Sequence, residues 1–111
     1  MQNTRFSYMY RDGANYKNHD HIILSGILSE SEINSLFEYQ DEGTWFLPKQ
    51  VGLNPLYFDN YILEIDHDWH EITSIDPTDE PPTTSMSIHD LLMAFQKADK
   101  EGWNLFKYGR N

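Results

Sequence analysis

Six consecutive residues, DHDWHE at positions 66–71, carry two imidazoles, three carboxylates and an indole. Imidazole and carboxylate bind divalent metals and carry protons, so this segment is the first place to look for chemistry. In an extended strand the side chains alternate. Asp66, Asp68 and His70 then share one face, and His67, Trp69 and Glu71 share the other. Asp66, Asp68 and His70 make an open oxygen and nitrogen set for a divalent cation, which His19 and His21 would complete if their strand ran alongside. The spacing matches neither H-E-x-x-H nor a calcium-binding loop. The favoured reading is a strand that turns Trp69 and Ile75 to the core and its acids outward, to water or to a partner.

Other reactive arrangements are sparse. YRDGANYKN at 10–18 sets Arg11 and Lys17 among Tyr8, Tyr10 and Tyr16, a mixture suited to stacking and phosphate contacts. Two bases cannot hold a nucleic acid against a formal charge of −10, so a tyrosine-braced loop is expected instead. Cysteine is absent, which excludes disulfides, thiol nucleophiles and cysteine-ligated zinc. No G-x-S-x-G elbow or glycine-rich phosphate loop occurs. Asp66 and Asp68 could divide acid and base roles only if burial separated their pKa values. His89 falls in the first turn of a helix, on its polar side. No catalytic residue is assigned.

The distribution of charge is more informative than its total. Residues 50–96 contain no Lys or Arg but nine acids: Asp59, Glu64, Asp66, Asp68, Glu71, Asp76, Asp79, Glu80 and Asp90. The rest of the chain is almost balanced. A field of one sign repels duplex nucleic acid and anionic membranes and favours a basic partner.

The elements that must position these residues follow from periodicity. A chain of 111 residues with 14% aromatics suits one compact domain, 1–111. Phe6, Tyr8 and Tyr10 alternate with Arg5, Ser7 and Met9 in a first strand over 4–10, and HIILSGIL at 21–28 is a second. Asp12-Gly13 could close a two-residue hairpin, but that register sets Phe6 and Tyr8 against His19 and Lys17. A longer loop, with Tyr8 against Ile22–Leu24, fits better. Ser29 and Glu32 form a capping box for a helix bearing Ile33, Leu36, Phe37 and Gln40 on one side and ending near Gly43. Residues 44–64, broken by Pro48, Gly52 and Pro55, predict an irregular packed connection with room for one short strand.

A third strand is expected over 67–75, then an exposed Pro/Thr-rich loop over 76–86. A second helix follows, capped by Ser85 or Ser87, with Ile88, Leu91, Leu92, Phe95 and Ala98 as its apolar stripe and Gly102 at its end. The aromatic tail 103–111 either packs back or seals a homodimer. The class is α+β, in the order β-β-α-β-α: an antiparallel sheet of three or four strands with two helices on one face.

YRDGANYKN, VGLNPLYFDNY and DHDWHE before EPPTT are similar to stretches in a set of small uncharacterised bacterial proteins, over about Phe6 to Thr84. The resemblance implies a bacterial or mobile-element origin and supplies neither a site nor a mechanism.

These features point to a non-enzymatic, acidic protein-binding module: an inhibitor, immunity or accessory protein engaging a basic, nucleic-acid-handling partner. The expected surface is Asp59, Glu64, Asp66, Asp68, Glu71, Asp76, Asp79 and Glu80, with Tyr57, Tyr61 and Trp69 as aromatic anchors. The alternative is a metal-dependent enzyme or metal sensor using Asp66, Asp68 and His70 with His19 or His21. The opening residues lack the basic-then-apolar pattern of a secretory signal, and no apolar run approaches about 18 residues, so a cytoplasmic protein without a membrane span is expected.

Overall fold

The first two strands form a hairpin at one side of a four-stranded sheet. The computed structural model describes residues 2–58 and 66–110. In it β1 (Asn3–Arg11) pairs antiparallel with β2 (Lys17–Ser25), Phe6 opposite Ile22 and Tyr8 opposite Asp20. The connection is the longer loop, 12–16, and not the two-residue turn. The Asp12 carboxylate accepts the Ala14 and Tyr16 amides at 3.0 and 2.9 Å, and Asn15 adopts a left-handed φ of 68°. This loop fixes the strand offset. β2 therefore starts at Lys17 and ends at Ser25, where Gly26 turns the chain at φ 90°, and the expected span 21–28 and partner of Tyr8 are both corrected.

The sheet has four antiparallel strands in the order β2-β1-β4-β3, with β4 at His70–Thr78 and the short β3 at Trp45–Phe46. β3 is the additional strand that 44–64 had room for. β4 begins three residues later than the expected 67 and extends past 75 to Thr78. Between Ser7↔Ser74 and Tyr8↔Ile72 the register shifts, leaving Thr73 as the extra residue of a bulge. That shift keeps Ile75, Ile72 and His70, opposite Phe6, Tyr8 and Tyr10, on one face despite their uneven spacing. Strict alternation would have grouped Ile75 with Trp69; the bulge groups it with His70.

The helices occupy this inner face. α1 (Glu30–Glu38) and α2 (Ile88–Glu101) each start with a complete capping box, on Ser29/Glu32 and Ser87/Asp90. Leu36 of α1, with Ile88, Leu91, Phe95 and Ala98 of α2, is buried against the sheet. Rings of Phe6, Tyr8, Phe46 and Phe95 meet at centroid separations of 5.2 to 6.3 Å, mostly tilted or edge-on. Burial pushes the Tyr8 phenol up to about 12, with Asp20 adding to the shift. A short α3 (Leu105–Tyr108) follows. Of the aromatic tail, Trp103 packs back, edge-on to Phe95 at 5.7 Å with its indole N–H donated to the Tyr39 carbonyl at 3.0 Å, whereas Phe106 stays 94% exposed.

The Pro/Thr-rich segment is tied down. Its first residues complete β4, and the rest forms a strap. Asn3 donates to the Glu80 carbonyl at 2.9 Å, and Arg5 pairs with the Glu80 carboxylate. Thr83 then exchanges bonds with both backbone groups of Ile23, at 2.9 and 3.0 Å, before Ser25 and Ser87 form a parallel bridge. The strap thus covers one end of the β2 edge, which would otherwise present unpaired backbone groups.

Of the two serines that could start α2, Ser87 is used and Ser85 is exposed. Ser87→Ala should lower stability by about 1 kcal/mol, read as a lower urea midpoint at unchanged slope. Ser85→Ala should leave the midpoint where it is.

Candidate functional site

DHDWHE does not form one strand. Asp66 to Trp69 are irregular, and only His70 and Glu71 belong to β4. Every member is nevertheless engaged. The Asp66 carboxylate accepts the Gly13 amide at 2.9 Å, joining this segment to the hairpin tip. The His67 Nδ1 accepts the Trp69 amide at 3.0 Å, and its carbonyl accepts from the Tyr10 hydroxyl at 2.6 Å. Asp68, 8% exposed, takes the Arg110 Nε at 2.8 Å on one oxygen and the Arg110 amide at 2.9 Å on the other. Arg110 also donates to the Tyr10 hydroxyl and the His67 carbonyl, both at 3.0 Å, and its guanidinium lies 3.8 Å from the centroid of the Tyr57 ring.

His70 is fully buried and lies in the row Phe46–His70–Tyr10–Asn18, which crosses all four strands on the inner face. Its Nε2 accepts the Leu56 amide at 2.9 Å, so Nε2 is unprotonated and Nδ1 carries the hydrogen, directed to the Asp68 carbonyl at 3.1 Å. At the other end of the row Asn18 donates to the Leu56 carbonyl at 3.1 Å, while Tyr8 donates to the Asn54 carbonyl at 2.7 Å. The connection after β3 is thus pinned across the inner face through both polar backbone groups of one residue. Burial drives the His70 pKa down to about 4.

Among the described residues the outer face bears no helix. Its row Trp45–Glu71–Met9–His19 again crosses four strands, and Ser74, Ser7 and His21 form the next. Arg11 pairs with Glu71 at 3.3 Å and donates to the Asn15 side chain at 2.7 Å. Asp76 stands opposite Arg5, and Asp79 and Glu80 continue into the strap. The result is a surface of mixed polar, aromatic and charged side chains over a buried Met9 and Ile23, with its acids at the strap end.

These placements sort the expected site residues. Glu71, Asp76, Asp79 and Glu80 border the outer face. Asp68, His70 and Tyr57 belong to the inner side, Asp66 holds the hairpin tip, and Trp69 is half-buried ahead of β4. Asp59, Tyr61 and Glu64 lie outside the described residues. The five metal-ligand candidates are not brought together: β1 separates β2 from β4, and His19 and His21 face away from His70. Among the described residues no three His, Asp or Glu side chains form a metal-sized group. The role of Arg110 had no local signal, because its partner Asp68 lies 42 residues earlier. No family model, curated protein or solved structure matches this chain. No helix among the described residues is long and apolar enough to cross a membrane.

Two measurements probe the inner cluster. The unfolded chain protonates His70 near its ordinary 6.5, whereas the fold resists protonation until about 4. The stability tied to neutral His70 is therefore complete above pH 6.5 and is lost as pH falls through the window toward 4, by roughly 3 kcal/mol. His70→Phe should flatten that part of the pH–stability curve and destabilise the fold at pH 7, because the Leu56 amide loses its acceptor. Arg110→Met keeps the stem but strands the Asp68 carboxylate, and should cost about 3 kcal/mol in chemical denaturation at neutral pH.

Proposed function

We propose that this protein is a small acidic protein-binding module that acts as an inhibitor, immunity or accessory protein on a basic partner of the kind that handles nucleic acid. The observation that carries this reading is the outer face of the sheet: it crosses all four strands, bears no helix among the described residues and borders the acidic strap. A polar, aromatic-containing surface beside a charged rim has the make-up of a protein interface. Asp76 and Asp79 are the exposed acids of that rim without an ion pair among the described residues. Glu71 and Glu80 are matched by Arg11 and Arg5 and act as parts of a fixed polar surface.

The test is to purify a basic protein recovered with the native chain and measure its affinity directly. D76K/D79K should weaken the complex by about tenfold or more, and so should raising salt from about 50 to 300 mM. Glu38→Lys, on α1, should leave the affinity unchanged. A complex indifferent to salt and to D76K/D79K would overturn the assignment.

A further inference from the structure

Five histidines occur in the chain, and the fold commits three of them. His70 is bonded at both ring nitrogens, the His67 Nδ1 accepts the Trp69 amide, and the His89 Nε2 lies 3.5 Å from the Glu32 carboxylate. His19 and His21 are different. Both are exposed, and neither ring has a hydrogen bond or ion pair among the described residues; only the backbone amide of His21 is engaged, by the Asp20 carboxylate at 2.8 Å.

Their geometry is set by β2. Residues two apart on a strand point to the same side, about 6.5 Å apart along the chain. Both rings therefore rise from the outer face, His19 opposite Met9 and His21 opposite Ser7 on β1. Ile23, two residues further, directs its backbone groups outward to Thr83, so His19 and His21 share the pairing type in which side chains of adjacent strands stand closest. The ladder to β1 holds the two positions on one rigid segment. Rotation about the side-chain bonds can then bring one nitrogen from each ring to the distance of about 2.0–2.1 Å that a zinc-sized ion requires.

We propose that His19 and His21 form a bidentate surface site for a divalent transition-metal ion, with Cu²⁺ bound more tightly than Zn²⁺ and Mg²⁺ not retained. Two neutral imidazoles suit copper, nickel and zinc, and the order among them follows the general stability series. This site is distinct from the Asp66, Asp68 and His70 set, which the fold takes apart. The positions left open on the ion are filled by water in the isolated protein. Since the rings stand on the proposed protein-binding face, a partner's side chain can take one of them, but the ion site rests on the chelate geometry alone.

The experiment is calorimetric titration of the untagged chain with Cu²⁺, Zn²⁺ and Mg²⁺ salts, with circular dichroism to establish that each variant is folded. The native chain should bind one Cu²⁺ and, more weakly, one Zn²⁺. Two linked ligands make the second bond intramolecular, so His19→Ala or His21→Ala should weaken Cu²⁺ binding by about 100-fold. The exchange D20H/H21D keeps composition and charge while sending the two rings to opposite faces, and should weaken binding equally. His89→Ala should change nothing. Failure of the native chain to take up Cu²⁺, or full retention of binding in D20H/H21D or His19→Ala, would overturn the site. Neither result bears on the salt-dependent protein complex.

Discussion

A neutral imidazole sealed in the interior at His70 is the point on which the inner side of this molecule depends. It accepts the amide of Leu56 and directs its own N–H to the Asp68 carbonyl, so one side chain binds the connection after β3 to the segment leading into β4. A buried amide without an acceptor would cost about 1–3 kcal/mol, and an aliphatic residue at this position offers none. The same row supplies Asn18 for the Leu56 carbonyl. Polar groups that would be liabilities in an apolar layer become its crosslinks, because each is matched.

The second organising element is the routing of positive charge. The chain concentrates its net negative charge between residues 50 and 96, because it holds every Lys and Arg outside that window. Folding brings Arg5 to Glu80, Arg11 to Glu71 and Arg110 to Asp68. All three arginines come from the flanks, and each meets a carboxylate of the acidic half. The lysines are not used this way among the described residues. Guanidinium fits the task better than ammonium, since its planar array of donors lets Arg110 serve Asp68, Tyr10 and His67 at once while stacking on Tyr57. The acidic field is consequently weaker around these pairs than the linear sequence suggests, and Asp76 and Asp79 keep it at the strap end of the outer face, exposed and without an ion pair among the described residues.

The two faces of the sheet divide structure from surface. Helices, aromatic rings and the pinned connection fill one side. The other carries polar and charged side chains, two uncommitted histidines and a covered Met9 and Ile23, with the strap closing part of the β2 edge. The bulge at Thr73 makes this division possible, for without it β4 would exchange faces midway and put either His70 or Ile75 on the wrong side.

The sequence alone was enough for the class, the order of the main elements, the Ser29/Glu32 capping box, the apolar stripe of α2 and the preference for a longer first loop, while it left the cap of α2 open between Ser85 and Ser87. Each of these is a local signal, written within a few residues as capping groups, helical spacing or strand alternation. It could not fix the register of β1 on β2, which depends on how the Asp12 side chain gathers the amides of its loop. Nor could it reveal the bulge, because period-two counting assumes an unbroken ladder. DHDWHE is the clearest case. Its residue types announced chemistry, but tertiary structure decided their use: His70 went to a buried acceptor role, Asp68 to Arg110 and Glu71 to Arg11. Those partners lie 14, 42 and 60 residues away. Contacts over such distances depend on how strands and connections are stacked in space, and no local pattern encodes that.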